Sequence, residues 1–469
     1  MTFARNPARL RLLPGKRALA LALPLLALML ASCTRDGGLS SGRTPGSDNG
    51  RVAVREDGGN GGERREPGAG PDTAQRPEPQ RRAPEPYSGP VKVGILLPLS
   101  GPNAELGQAM MNAAQMAVFD VGAENFELLP RDTQGTAEGA RRAASEVRQQ
   151  GADLILGPLF APSVAAIKPI MQRYDMRAIA FSTDWTLAGD SVYIMGFLPF
   201  TQVARVATYA QDQGVRRIGA LLPDDAYGDA VLSALRRSVG DGGNSELVAV
   251  RRYDPEAEDL SPIVREFANF DQRKARLEGL RRELSAGDDE ASQRALKRLE
   301  AYETQGELPY DAVFLGAGGA ALRRIAPLLP FFDLDPRRVR MLGTGLWDDP
   351  RTWRDSALLG GWYAAPAPGL RSDFEKRYKQ TYGQAPQRLS TLAYDATALA
   401  AKLGRYGPGG RPAYDHETLT SANGFIGLDG IFRFRDNGLV QRGLAVLEIG
   451  QGRARVIDNP PRTFRRVSF

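Results

Sequence analysis

The sequence predicts an α/β protein of two lobes, each an open and mainly parallel sheet with helices on both faces. Three observations lead there. From Val91 onward, apolar runs of strand length alternate with amphipathic stretches of helical period, the signature of βαβ units. The strand-like runs are almost continuously apolar, as strands covered on both faces must be. The alternation occurs in two successive sets, so one sheet does not account for the chain.

The chain before Val91 is different. Residues 1–33 carry Arg5, Arg9, Arg11, Lys16 and Arg17 with no acid, then an apolar run from Ala18 to Ala31 interrupted by Pro24, then Ser32 and Cys33. That run is short for a bilayer span and reads as a targeting segment. Small residues ahead of Cys33 resemble a bacterial lipoprotein signal, which implies cleavage there and diacylation of Cys33. Thr34 follows, with Asp only at position 36, and the resemblance then implies sorting to the periplasmic face of the outer membrane. Residues 34–90 hold 12 Gly, 8 Pro and nine Arg against nine acids, with few large apolar side chains. Such a stretch cannot build a core and is expected to be a disordered tether, with an end-to-end distance of about 40–45 Å as a flexible chain.

The first set of units starts with a strand at Val91–Leu97 and a helix over about Ala104–Val121. It continues with a strand at Phe126–Pro130, a helix over Ala137–Gln149, and strands at Asp153–Leu156 and Arg177–Phe181. After a connection at Val192–Phe200, the second set has strands at Arg217–Leu222, Leu247–Tyr253, Ala312–Leu315 and Arg340–Leu342. Trp362–Ala364 reads as a further strand, Tyr394–Leu403 as a helix, and residues 427–438 as a hairpin with an Asp436-Asn437-Gly438 turn. The expected division is lobe one at about 91–200 plus 343–404, and lobe two at about 201–342 plus 405–455. A charged insertion at about 254–309, with Ile263, Phe267, Phe270, Leu277, Leu280 and Leu284 at helical spacing, reads as one or two amphipathic helices.

Composition narrows the chemistry. The 61 Lys and Arg exceed the 55 acids by six, but five of those charges lie in the first 33 residues, leaving a body near neutrality. That gives no reason to expect a nucleic-acid partner. One Cys and one His exclude disulfide frameworks, Cys/His zinc sites and Cys-His pairs; neither a metal nor a cofactor is expected. His416 lies in a polar stretch suited to a loop or helix start, with no G-x-S-x-G elbow to accompany it, so no catalytic residue is assigned and the chain reads as a non-enzyme. Gly316-Ala317-Gly318-Gly319-Ala320-Ala321 matches G-x-G-x-x-A, but the following acids, Asp333 and Asp335, do not sit at the end of a second strand. Close strand-to-helix packing accounts for those glycines.

Five motifs in order carry a resemblance. Val91–Gly101, Asp132-Thr133, Gly157-Pro158, Asp224–Gly228 and the Gly-Leu-Asp-Gly-x-x-x-Phe run at 427–434 together resemble the type 1 periplasmic-binding-protein fold of the leucine/isoleucine/valine-binding kind. The lipid anchor, tether and charged insertion are similar to one branch, the penicillin-binding protein activator lipoproteins, which implies regulation of a peptidoglycan synthase or another envelope protein. The other function implied is an amino-acid receptor for an ABC permease, its small amino-acid-like ligand held between the lobes. Candidate cleft contacts at the strand ends are Ser100, Ser182, Thr183, Asp184 and Tyr227, with Trp347 near the hinge. The same Ser and Thr positions serve as helix caps whether or not a ligand binds, and Trp347 has packing as its alternative. Leu159-Phe160 after Gly157-Pro158 and the charge of Asp184 depart from an amino-acid pocket, so the site is either altered or vestigial.

Overall fold

The computed structural model describes residues 87–189, 191–240, 245–407 and 411–464. Cys33, the apolar leader and nearly all of the tether lie outside them. Among the described residues no helix is long and apolar enough to cross a membrane.

The first lobe begins with β1 (Val91–Leu97), α1 (Ala104–Val121), β2 (Phe126–Asp132) and α2 (Ala137–Gln149). It continues with β3 (Leu154–Leu156), α3 (Ala161–Arg173), β4 (Arg177–Ala180) and β5 (Val192–Ile194). The five strands form a wholly parallel sheet in the order β2-β1-β3-β4-β5. Ala140, Ala144 and Val147, spaced along one helix face, bury against it, so α2 lies close enough that a Cβ on Gly94 would stand 2.8 Å from the Val147 side chain.

The second lobe runs through α4 (Pro199–Asp212), β6 (Arg217–Pro223), α5 (Ala226–Gly240), β7 (Glu246–Tyr253), α6 (Ser261–Phe267), α7 (Phe270–Ser285) and α8 (Glu290–Leu299). Then come β8 (Ala312–Leu315), α9 (Gly319–Ile325), α10 (Leu328–Phe331), β9 (Arg340–Gly343) and β10 (Trp362–Ala365). Alternate residues of these strands feed two cores, with Leu221, Val313 and Tyr363 on one face and Ala220, Phe314 and Ala364 on the other.

The last stretch comprises α11 (Pro368–Tyr382), α12 (Ser390–Leu403), α13 (His416–Leu419), β11 (Phe425–Gly427), β12 (Gly430–Phe434) and β13 (Val440–Arg442), followed by β14 (Ala445–Ile449) and β15 (Ala454–Asp458). The second sheet has the order β15-β14-β10-β9-β8-β6-β7, antiparallel only at β10/β14 and β14/β15.

The expected lobe boundaries need correction. β10 lies in the second sheet, because it pairs with β9 and β14 and its Tyr363 packs in that lobe's core. Residues 405–442 belong with the first lobe instead: Tyr414, Leu419, Phe432, Phe434 and Val440 fill its core, and α12 packs on α1. The chain thus crosses between lobes near 198, 366 and 443. The insertion holds three helices rather than one or two. Val264 and Phe267 of α6 are buried in the second lobe, whereas α8 has no buried residue.

Candidate functional site

In each sheet the chain reverses direction between the first strand and the third, β1/β3 in one lobe and β6/β8 in the other. Crevices outside such switch points are where open α/β sheets hold ligands, because the peptide groups beyond the strand ends have no ladder partners there. The residues at these two switch points form the candidate site.

In the first lobe, the donors at the end of β1 are already engaged. The Asp132 carboxylate accepts from Leu99 N (2.9 Å), Ser100 N (3.3 Å), Ser100 Oγ (2.5 Å) and Gln134 N (2.7 Å). Burial works against its charge, yet the hydrogen bonds from Ser100, Gln134 and Leu99 prevail and hold the carboxyl below its usual value. Ser100 is therefore bound to an internal anion. At β3 the loop turns at Gly157, φ +87°, where a Cβ would collide with the Leu96 carbonyl oxygen; Leu159 then buries in the first lobe's core and Phe160 is half-buried. Phe160 offers no capping side chain to α3. After β4, Ser182 is buried and its Oγ accepts from Asp184 N at 3.1 Å, while Asp184 caps a short turn through Thr186 N (3.0 Å) and Thr186 Oγ1 (2.6 Å). Thr183 and Thr186 are exposed and Asp184 is half-buried; of the candidate contacts in this lobe, Ser100 and Thr183 are the exposed ones.

In the second lobe, Tyr227 at the start of α5 shares a 2.9 Å hydrogen bond with Thr344 Oγ1 beyond β9. Burial, with a smaller push from Asp225, raises its phenol to about 12, so it stays protonated as a hydrogen-bonding group. Asp225 Oδ1 accepts from Gly228 N at 2.8 Å, a capping bond. Trp347 is removed from the cleft: it is fully buried, lies against Gly343 and Gly361, and donates Nε1–H to the Ala317 carbonyl at 3.0 Å. Packing also explains Gly318, where a Cβ would stand 2.7 Å from Leu346. His416 starts α13 and meets the Tyr193 hydroxyl at 2.8 Å. Thr344 and the four-donor shell of Asp132 escape sequence reading, since neither sits in a motif that marks its partner.

One buried ion pair joins the lobes, and a buried charge cluster lies in the first lobe beside the crossings; only Asp429 of these falls in a sequence motif, the Gly427–Gly430 run. Arg371 of α11, whose helix packs on α1 through Phe374 and Tyr378, reaches Asp348 of the second lobe at 2.6 Å, with side chains only 10% and 5% exposed. Asp429 accepts from Thr391 Oγ1 (2.6 Å) and Arg388 Nη2 (2.9 Å). Arg388 and Arg442 both lie over the Phe197 ring, 4.3 and 4.9 Å from its centre, just before the first crossing. Arg442 Nη2 donates to the Met195 carbonyl at 2.8 Å. Asp395 accepts from Leu428 N at 2.7 Å through Oδ1, and its buried Oδ2 has no hydrogen-bond partner among the described residues. Burial first, and then the neighbouring Asp429, push Asp395 up to about 7. Asp429 itself is held low: burial opposes its charge, but Arg388, Arg442 and Thr391 overcome that penalty.

Comparison with known proteins matches this architecture. A profile of periplasmic binding proteins fits residues 90–454. An uncharacterized protein of Rickettsia prowazekii is 24% identical over 179 residues, covering 38% of this chain and 47% of that protein. Leu/Ile/Val-binding protein homolog 6 of Brucella abortus is 26% identical over 187 residues, covering 38% and 48%. The chain thus spans about half the length of these curated relatives. A putative branched-chain amino acid ABC transporter from Rhodospirillum rubrum superposes with a TM-score of 0.62 at 18% identity, over 78% of this chain and all of that one. A solute binding protein from Rhodopseudomonas palustris, solved with 3,4-dihydroxybenzoic acid, gives 0.53 at 17% over 79% and 96%. At such identities the likeness is one of fold, and the profile, which spans both lobes and all three crossings, supplies the rest: the chain belongs to the periplasmic binding protein family.

Proposed function

We propose that this chain is a non-enzymatic periplasmic lipoprotein, anchored to the outer membrane through diacylated Cys33, whose two-lobed domain regulates a peptidoglycan synthase. One observation carries the reading: the Leu99, Ser100 and Gln134 donors beyond β1 are taken by Asp132, and the half-buried Phe160 ring stands at the neighbouring loop. A ligand carboxylate arriving there meets a fixed negative charge and no free donor at the end of β1, which is unfavourable on both counts. The lobes then serve as a hinged body for protein contact, and the exposed face of α8 adds surface to it. The test is reconstitution of the lipidated protein with a purified peptidoglycan synthase. A several-fold rise in glycan polymerisation or cross-linking supports the reading, and an unchanged rate in both assays refutes it. Metabolic labelling with a radioactive fatty acid, lost in Cys33→Ala, checks the anchor.

The second reading is a branched-chain-type amino-acid receptor of an ABC transporter. It is favoured by the exposed Thr183, by α3, whose start lacks a side-chain cap, and by the Tyr227–Thr344 hydroxyl pair on the facing lobe.

A further inference from the structure

A groove of about 950 Å³ lies away from the strand-end crevice, where the second lobe's α4 and α5 approach the β12–β13 turn of the first. That volume is at the upper end of what small-molecule sites offer. Its lining contains four arginines and no carboxylate among the described residues. Two of the four are already committed. Arg205 is paired with Asp458 at 2.6 Å, and Arg442 belongs to the buried charge cluster described above. The other two are unpaired by any acid among the described residues, and they stand on opposite lobes. Arg237 of α5 is exposed, donates to Ser233 Oγ at 2.6 Å and lies over the Phe200 ring. Arg435, in the turn after β12, is exposed, and its side chain has no partner among the described residues.

The remaining surface has a consistent character. Thr201, Ala204, Thr208 and Gln211 recur at helical spacing along α4 and turn two hydroxyls, a methyl and a carboxamide toward the groove, the Gln211 Nε2 donating to the Ser238 carbonyl at 3.0 Å. The Asn437 and Gln441 carboxamides each use their oxygen internally, accepting from Leu439 N (3.1 Å) and Arg433 Nε (2.8 Å), which leaves their N–H groups as donors. Phe200 and Phe464 supply apolar edges. A groove of donors, cations and apolar edges is complementary to an extended chain carrying carbonyls, carboxylates and apolar side chains.

We infer that this groove docks an acidic, extended peptide segment of a partner protein, gripped by Arg237 on one lobe and Arg435 on the other. Such an occupant bridges the lobes and so binds one interlobe angle better than another, which couples docking to the hinge. The surface is separate from the strand-end cleft, so it stands or falls independently of what that cleft holds.

The test uses the full-length protein and fluorescence anisotropy of a labelled peptide of alternating Glu and Leu, with a control in which every Glu is Gln. The expected result is saturable binding to the Glu peptide that weakens with added salt, with the control at least about tenfold weaker. Arg237→Glu and Arg435→Glu are each expected to weaken it about tenfold while leaving the melting temperature unchanged, since both side chains are exposed. Ala204→Trp, which fills the groove floor without altering charge, is expected to abolish binding. Equal affinity for both peptides, indifference to either charge reversal, or indifference to Ala204→Trp overturns the inference. Tighter binding of inorganic polyphosphate or of an anionic glycan than of the Glu peptide overturns it as well. Amino-acid titrations of the same preparation report on the cleft separately.

Discussion

Replacing Asp395 by Asn tests the buried charge cluster of the first lobe. Asp395 is 2% exposed, lies within reach of the Asp429 and Arg442 charges, and leaves Oδ2 without a hydrogen bond among the described residues. Burial and Asp429 raise its carboxyl from an ordinary 3.8 to about 7, so between those values the folded protein holds a proton that the unfolded chain has released. The sign follows. A raised acid contributes stability that is complete below the unfolded value and is lost as pH climbs through the folded one. One proton corresponds to about 1.4 kcal/mol per pH unit, and sharing of the titration with Asp429 lowers the expected slope to about 1 kcal/mol per unit. Urea unfolding midpoints at about pH 5, 6 and 7 measure it. The wild type is expected to lose about 2 kcal/mol over that range relative to Asp395→Asn, whose amide oxygen still accepts from Leu428 N. Parallel pH profiles for the two proteins refute the assignment.

Three further substitutions follow from the same contacts. Arg371→Met leaves Asp348 buried without its cation and is expected to cost about 3–5 kcal/mol by chemical denaturation, most of it recovered by adding Asp348→Leu; a cost below about 1 kcal/mol contradicts the burial of the pair. Trp347→Ala empties the second lobe's core and is expected to cost about 3–5 kcal/mol, read as a fall in melting temperature, whereas a cleft contact could be truncated at little cost. Tyr227→Phe removes one hydrogen bond to Thr344 and is expected to cost about 1 kcal/mol in the same assay.

Much of the fold is legible in the sequence because strand and helix periods are local properties. Val91–Leu97 and Ala137–Gln149 have the expected type and bounds since their apolar spacing matches the face each buries. Which sheet a strand joins is not local. Trp362–Ala365 reads as a strand, yet its membership of the second lobe depends on pairing with β14, more than eighty residues downstream. Residues 425–442 likewise show their hairpin but not that Phe432 and Phe434 enter the first lobe's core. At the cleft, Ser100, Ser182 and Tyr227 fall at the expected strand ends, while their partners Asp132 and Thr344 are set by the packing of separate units. Of the buried charges only Asp429 falls in a motif, and its role there is not legible because its partners are distant or isolated: Arg442 and the Met195 carbonyl are 247 residues apart, and a lone Arg or Asp in a sequence is indistinguishable from solvated surface.

On the proposed function, the interlobe cleft holds no amino acid, since the donors beyond β1 are taken by Asp132. Isothermal titration calorimetry of the purified protein with leucine, isoleucine, valine and a wider amino-acid panel tests it most directly. No saturable heat is expected at ligand concentrations up to the millimolar range. Stoichiometric binding of any of them with a micromolar dissociation constant contradicts it.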